Sequence, residues 1–286
     1  MPVHENCGCP LCGRHDSQPS AYGLGDLRIV RCRQCNLWYL SPRLCLAAMK
    51  EHYARADYFE GGDSGYDSYA SQETSLRMTF RRLLRNLANN GMCGGSVLDV
   101  GCGYGYFLQE ASSYFDVRTG TDYSQGALDR ALRHADQAFL GGVEDVPEHL
   151  QFDCIVALHV VEHVYQPREF VAQLSRRLKP GGTLLLAAPD MGSWWRRAMG
   201  CRWPSFKYPE HVAYYDQRTL RRLIETAGFE AAQRIPYPHA FPMNLVMSKL
   251  RLPSMASLDG HAMWLPATTV ALAARKARAQ CRRAAA

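Results

Sequence analysis

The first residues, Met1-Pro2-Val3-His4-Glu5-Asn6-Cys7, lack both a basic start and an apolar stretch, so no secretory signal peptide is expected. No uninterrupted apolar run approaches the roughly 20 residues that span a bilayer, and no transmembrane segment is expected either. Internal repeats are absent, and low complexity is confined to an Ala/Arg-rich end. Excess charge is scarce outside that same end. The chain carries +6, from 33 Lys and Arg against 27 Asp and Glu. Five cations (Arg275, Lys276, Arg278, Arg282, Arg283) sit in the last twelve residues with no acid among them, which leaves 28 against 27, or +1, for the other 274. A nearly neutral body weakens any argument from bulk charge to a nucleic-acid partner. What is present is core: 47% hydrophobic and 21% charged residues exclude a disordered tail protein and a disulfide mini-scaffold. The eleven cysteines are therefore expected in a reducing cytoplasm, where clustered Cys signals metal or chemistry.

Four stretches differ in texture: 1–43 is Cys- and turn-rich, 44–95 is a Tyr-rich segment and then a helical linker or lid, 96–235 alternates strand and helix, and 236–286 reads as a helical extension. In the second stretch Leu76, Phe80, Leu83, Leu84 and Leu87 share one helical face, and Asn89-Asn90-Gly91 ends it. In the third, apolar runs predict strands at Ser96–Val100, Val117–Thr121, Ala138–Leu140, Cys154–Leu158, Thr183–Ala188 and Glu230–Ile235, with helices at Arg168–Leu178 and Arg218–Ala227 among those between. This alternation predicts an α/β fold, a doubly wound, Rossmann-like and mostly parallel sheet with helices on both faces. No convincing strand follows Ile235; Met243–Ser248 reads equally as helix, and Pro266–Arg283 as a helical tail with a cationic end.

Cys9-x2-Cys12 and Cys32-x2-Cys35 are two chelating pairs nineteen residues apart. Each places two thiolates on one tight turn, and two turns complete a tetrahedral zinc site. Four protein ligands leave no open position, so this Zn2+ is structural, a zinc ribbon over 1–43. Cys7 reads as a fifth, free thiol.

Val97-Leu98-Asp99-Val100 runs into Gly101-Cys102-Gly103-Tyr104-Gly105, a strand entering a glycine turn and then a helix. Glycines there let a ligand lie against the backbone. Tyr106 stands where a dinucleotide motif needs its third glycine, and no Walker Lys-Ser/Thr follows, so a phosphate cradle is unsupported. Asp122 ends the next strand, where a carboxylate can bind a ribose diol. Strand, loop, strand and acid in this order point to a nucleoside ligand.

The segment resembles motif I of class I S-adenosylmethionine-dependent methyltransferases. The resemblance continues through Phe152-Asp153-Cys154-Ile155-Val156, Val161-Glu162-His163-Val164, Leu178-Lys179-Pro180-Gly181-Gly182-Thr183-Leu184, Pro209-Glu210-His211-Val212 and Ala227-Gly228-Phe229, about residues 50–235. With the ribbon in front, the chain is similar to a bacterial subgroup that includes deoxysugar and surface-polysaccharide methyltransferases. The resemblance implies S-adenosyl-L-methionine held by Asp99 and Gly101–Gly105, Cys102 and Tyr104 included, with Asp122 on the ribose and Tyr123 beside it. The family often places an Asp after the third strand to accept from the adenine amine. Gly142 stands there, so Glu144 or a backbone carbonyl must substitute. A seventh, antiparallel strand usual in the family is not evident. Tyr58, Tyr66 and Tyr69 resemble the subgroup's lid.

Methyl transfer to a hydroxyl or carbon acid needs a base. Glu162 and His163 follow the fourth strand, at the edge where open α/β sheets bind ligands, and His163 is the candidate base with Glu162 tuning it. His211, with Tyr214 and Tyr215, is a candidate for the acceptor pocket, with a surface histidine as its alternative, and His159, inside an apolar run, reads as a packed histidine near the strand end, with cofactor contact as its other reading. Trp194, Trp195 and Trp203 read as packing residues, with stacking on the acceptor as the alternative. The expected function is methylation of a sugar, sugar nucleotide or other small biosynthetic intermediate, on oxygen first and carbon second. The alternatives are an RNA methyltransferase and a non-catalytic binding protein. RNA is disfavoured because residues 1–43 hold five Arg against three acids, only +2. The basic tail reads as a solvated helix end, with weak attachment to an anionic membrane as its alternative.

Overall fold

The computed structural model describes residues 3–53, 69–249 and 260–278, together with Pro253 and Leu258. Its main sheet has seven strands: β1 (Ser96–Val100), β2 (Val117–Asp122), β3 (Gln137–Leu140), β4 (Phe152–Leu158), β5 (Leu178–Pro189), β6 (Glu230–Arg234) and β7 (Thr269–Arg275). Their spatial order is β6-β7-β5-β4-β1-β2-β3. The five strands from β5 to β3 pair in parallel, and β7 runs antiparallel between β5 and β6.

Buried side chains alternate between the two faces as the strand period of two requires. Leu98, Ile155, Ala157, Leu184 and Leu186 point to one apolar cluster, Val97, Cys154, Val156, Leu185 and Ala187 to the other. The first face is covered by α4 (Pro167–Arg177) and α5 (Gln217–Glu225). The second is covered by α1 (Glu73–Asn89), α2 (Tyr106–Ala111) and α3 (Gln125–Ala131). Helix α1 ends at Asn90 and at Gly91, whose φ is 62°. Leu83, Leu84 and Leu87 of α1 are fully buried, each worth roughly 1.5–3 kcal/mol. That makes α1 a fixed wall of the sheet.

Residues beyond Ile235 depart from the helical extension read in the sequence. Met243–Lys249 is helical, but His239–Pro242 and Ala262–Leu265 form an antiparallel pair of strands, and Thr269–Arg275 is β7 itself. Its register runs from Thr183 opposite Arg275 to Pro189 opposite Thr269. The seventh strand therefore exists, in place of a helical tail over 266–275. Its alanines read as helix formers, yet with neighbours on both sides and helices on both faces a strand of small side chains is what fits. The first cations of the expected tail are also bound: Arg275 donates to the Gly91 carbonyl (2.7 Å), and Lys276 to those of Ser175 and Leu178. No helix among the described residues is long and apolar enough to cross a membrane.

The N-terminal module is an antiparallel sheet of Ser17–Leu24, Leu27–Cys32 and Trp38–Leu40, extended by Ala213–Tyr214 from the connection after β5. Leu40 N donates to Val212 O (3.0 Å), and Val212 N donates to Glu162 O (2.8 Å). Leu11, Leu37 and Tyr39 share an apolar cluster with Ala213 and Tyr215. The ribbon is thus joined to the sheet through the segment that follows His211.

Candidate active site

Three parallel strands, β1, β2 and β4, end together, and the candidate residues gather at those ends. After β1 the chain turns through Gly101, Gly103 and Gly105, with φ of 73°, 53° and 78°. Gly101 N and Cys102 N both donate to Thr121 O, which hooks the turn over the end of β2. A Cβ on Gly101 would lie 2.6 Å from Val160 Cγ2, and one on Gly105 would lie 2.9 Å from the backbone of Ala131. Only glycine permits this close approach.

Asp122 faces the turn. Its Oδ2 accepts from Gly103 N and its Oδ1 from Ser124 N, both at 2.9 Å. An ionised carboxylate offers about four acceptor positions, so positions remain for a diol. Burial raises the Asp122 carboxyl, opposed by those backbone N–H groups. Asp99, buried within β1, is raised well above the carboxylate range by burial and then by Asp122. Cys102 turns inward: its Sγ packs where a Cβ on Gly120 would sit, so only its backbone belongs to the turn. The Tyr104 ring carries the Arg130 guanidinium 4.2 Å from its centre.

Beyond β3, the Glu144 carboxylate lies against Gly142, within contact of any Cβ built there, and accepts from Tyr123 OH at 2.7 Å. A carboxylate therefore stands at position 142 although the residue there has no side chain. Tyr123 itself is largely exposed.

At the end of β4 the chain presents His159, Glu162 and His163. Glu162 is buried, and His159 Nδ1 lies 3.4 Å from its Oε1. Burial opposes ionisation of Glu162, but the facing histidines, His159 first, outweigh it and hold the carboxyl at about 2. Ligand atoms of Glu162, His163 and His211 lie within 4.8 Å of one another. The His163 and His211 rings meet edge-on at 4.7 Å, and His211 Nδ1 is 2.8 Å from Ser205 O. Burial lowers both imidazoles, His211 further, because His163 adds to it. The structure thus gathers residues 159, 162, 163 and 211. Tyr214 keeps its ring 6.2 Å from that of His211 while packing into one apolar cluster, and Tyr215 packs into another.

Sequence reading missed Tyr237 and His239, which pack their rings 5.8 and 5.7 Å from that of His159. They follow β6, where no motif marked them. Trp203 is buried as expected, whereas Trp194 is exposed and stacks on Trp195. Tyr58 and Tyr66 lie outside the described residues.

The sulfurs of Cys9, Cys12, Cys32 and Cys35 lie within 4.8 Å of one another, with Cys9–Cys35 at 3.4 Å and Cys12–Cys32 at 3.5 Å. Four thiolates on one zinc at about 2.3 Å sit about 3.8 Å apart, so the donor set fits that ion. Gly13 and Asn36 adopt positive φ after each pair, and their N–H groups close the turns on Cys9 O and Cys32 O. Cys7 stands apart, its Sγ 3.5 Å from Leu40 O.

A family model described as a methyltransferase domain matches residues 69–234. The ubiquinone biosynthesis O-methyltransferase of Bradyrhizobium diazoefficiens is 32% identical over 149 residues, half of this chain and 55% of that protein. The chain spans about half the length of the curated relatives it matches. Among solved structures, an S-adenosylmethionine-dependent methyltransferase of Thermotoga maritima aligns with a TM-score of 0.53 at 17% identity, over 73% of this chain and 94% of that one. Another, from Archaeoglobus fulgidus, gives 0.52 at 16%, over 73% and 99%. Similarity at that level shows a shared fold. With more than half of its length matched by the family model, the chain belongs to the methyltransferase domain family.

Proposed function

We propose that this chain is an S-adenosylmethionine-dependent methyltransferase that methylates a hydroxyl of a small biosynthetic intermediate. The observation that carries the reading is the Asp122 carboxylate, tied by Gly103 N and Ser124 N beside a glycine turn that tolerates no side chain. That cradle fits a nucleoside: Asp122 on the ribose diol, the Gly101–Gly105 backbone and Asp99 toward the amino-acid end, Glu144 and Tyr123 toward the base. Bound there, S-adenosylmethionine supplies an electrophilic methyl group. The chain's own groups orient the acceptor and take its proton, and that work falls to Glu162, His163, His211 and His159, a reading supported by their proximity to one another.

Oxygen is favoured as the acceptor atom because the curated relatives are named O-methyltransferases. A sugar or sugar nucleotide is the acceptor favoured by the likeness to ribbon-bearing enzymes. Zinc at the four cysteines holds the ribbon against the sheet, and a reducing cytoplasm keeps those thiolates available. The test is transfer of labelled methyl from S-adenosylmethionine to a panel of nucleotide sugars and hydroxylated aromatics. Label on an acceptor hydroxyl is expected. Failure to bind S-adenosylmethionine at all would overturn the reading.

A further inference from the structure

We infer that His159 and Glu162 form a proton-accepting pair, in which Glu162 holds the Nδ1–H of His159 and His159 Nε2 receives the proton of the acceptor hydroxyl. The inference rests on the methyl-transfer reading above and assigns its general base to a different histidine from the one singled out by the Glu162-His163 motif.

The backbone at His159 is unusual. His159 follows β4 directly, at the sheet edge where ligands bind, and its φ is 59°. A non-glycine residue holds left-handed geometry only where its surroundings fix it, and such residues concentrate at functional sites. Here His159 N is anchored to Ala187 O at 2.9 Å, the next side chain, Val160, closes on Gly101, and Val161 is fully buried. The strained turn therefore fixes the backbone that carries the imidazole, one residue before the side chain packed on the glycine loop.

The side chain is unusual as well. His159 Nδ1 lies 3.4 Å from Glu162 Oε1. Its Nε2 is buried and has no hydrogen-bond partner among the described residues, and Oε2 of buried Glu162 has none either. Buried polar atoms left in this state are exceptions that call for a function or an absent ligand. A carboxylate holding Nδ1–H selects the tautomer whose lone pair is on Nε2, the arrangement that makes a histidine a directed base. Catalytic hydrogen bonds are often long before substrate binds and tighten in the complex. The rings of Tyr237 and His239 flank the imidazole and limit how it can rotate. His163 is set differently, its ring packed edge-on against that of His211.

The step balances. The acceptor oxygen bonds to the methyl carbon as the carbon–sulfur bond breaks, sulfur keeps that electron pair and becomes a neutral thioether, and the hydroxyl proton moves to Nε2. One positive charge leaves sulfur and one appears on the imidazolium, so the net charge of the site is unchanged.

The experiment uses the full chain, labelled with 15N-histidine and saturated with S-adenosylhomocysteine, with the His159 ring assigned by its loss in His159→Gln. At neutral pH the His159 ring should carry its proton on Nδ1 and none on Nε2, and Glu162→Gln should shift the proton to Nε2. A native His159 with Nε2–H, or a tautomer indifferent to Glu162→Gln, overturns the pair. In turnover of a hydroxyl acceptor, His159→Gln should lower kcat by about 10²–10⁴ while cofactor Kd changes by less than about tenfold; a kcat loss below about tenfold also overturns it. Failure of S-adenosylhomocysteine to bind would instead count against the methyl-transfer reading.

Discussion

Replacing Gly101 by alanine separates two effects that the glycine turn combines. Its φ of 73° is left-handed, which costs a non-glycine residue about 1–2 kcal/mol. The new Cβ would also lie 2.6 Å from Val160 Cγ2, closer than carbon atoms approach, and such overpacking costs about 1–3 kcal/mol. Gly101→Ala should therefore destabilise the fold by about 2–5 kcal/mol. Val160→Ala removes the opposing methyl groups, so the double variant should retain only the backbone part, with a coupling of about 1–3 kcal/mol relative to additivity. Urea unfolding followed by tryptophan fluorescence reads this directly. With a slope of about 1–3 kcal/mol per molar, a 3 kcal/mol loss moves the midpoint by about 1–3 M. A Gly101→Ala protein within about 0.5 kcal/mol of native, or a strictly additive double variant, would refute the steric account of the loop.

Native mass spectrometry should show one zinc per chain. Chelation should lower the unfolding temperature and impair turnover more than cofactor binding, because Trp38–Leu40 of the ribbon pairs with Ala213–Tyr214 just after His211; a metal-free native chain would refute the ribbon. Acid should destabilise the protein early. Burial holds His163, His211 and His239 below the ordinary 6.5, His239 at about 3. Between the folded and unfolded values the unfolded chain binds more protons, so stability is full above about pH 6.5 and falls as pH drops toward the folded values. Each group contributes up to about 1.4 kcal/mol per pH unit. Urea midpoints should therefore decline from pH 7 to 5.5, and a flat or rising profile would contradict the buried neutral histidines.

Local signals were legible in the sequence. The predicted strands and helices from Ser96 to Arg234 match β1–β6, α4 and α5 to within a few residues, except that β5 begins at Leu178, five residues early. The glycine turn, the strand-end position of Asp122 and each cysteine pair were readable because each is a short local pattern. Strand β7 was not, since Val270, Ala271, Leu272, Ala273 and Ala274 carry no alternation: both faces are covered, so every position is buried. The strand starting at His239 was hidden by Pro242, which argues against a strand but is tolerated at its end. The meeting of His211 with Glu162 was equally unreadable. It depends on Val212 bonding Glu162 on one side and Leu40 of the ribbon on the other, contacts made by segments far apart in the chain.

The central claim is that the glycine turn and Asp122 bind S-adenosylmethionine. Calorimetric titration of the full chain with S-adenosylhomocysteine tests it without any knowledge of the acceptor. Saturable binding at one site per chain is expected, weakened in Asp122→Ala while the protein stays folded. No binding to the folded native chain, or equal affinity in Asp122→Ala, would contradict it.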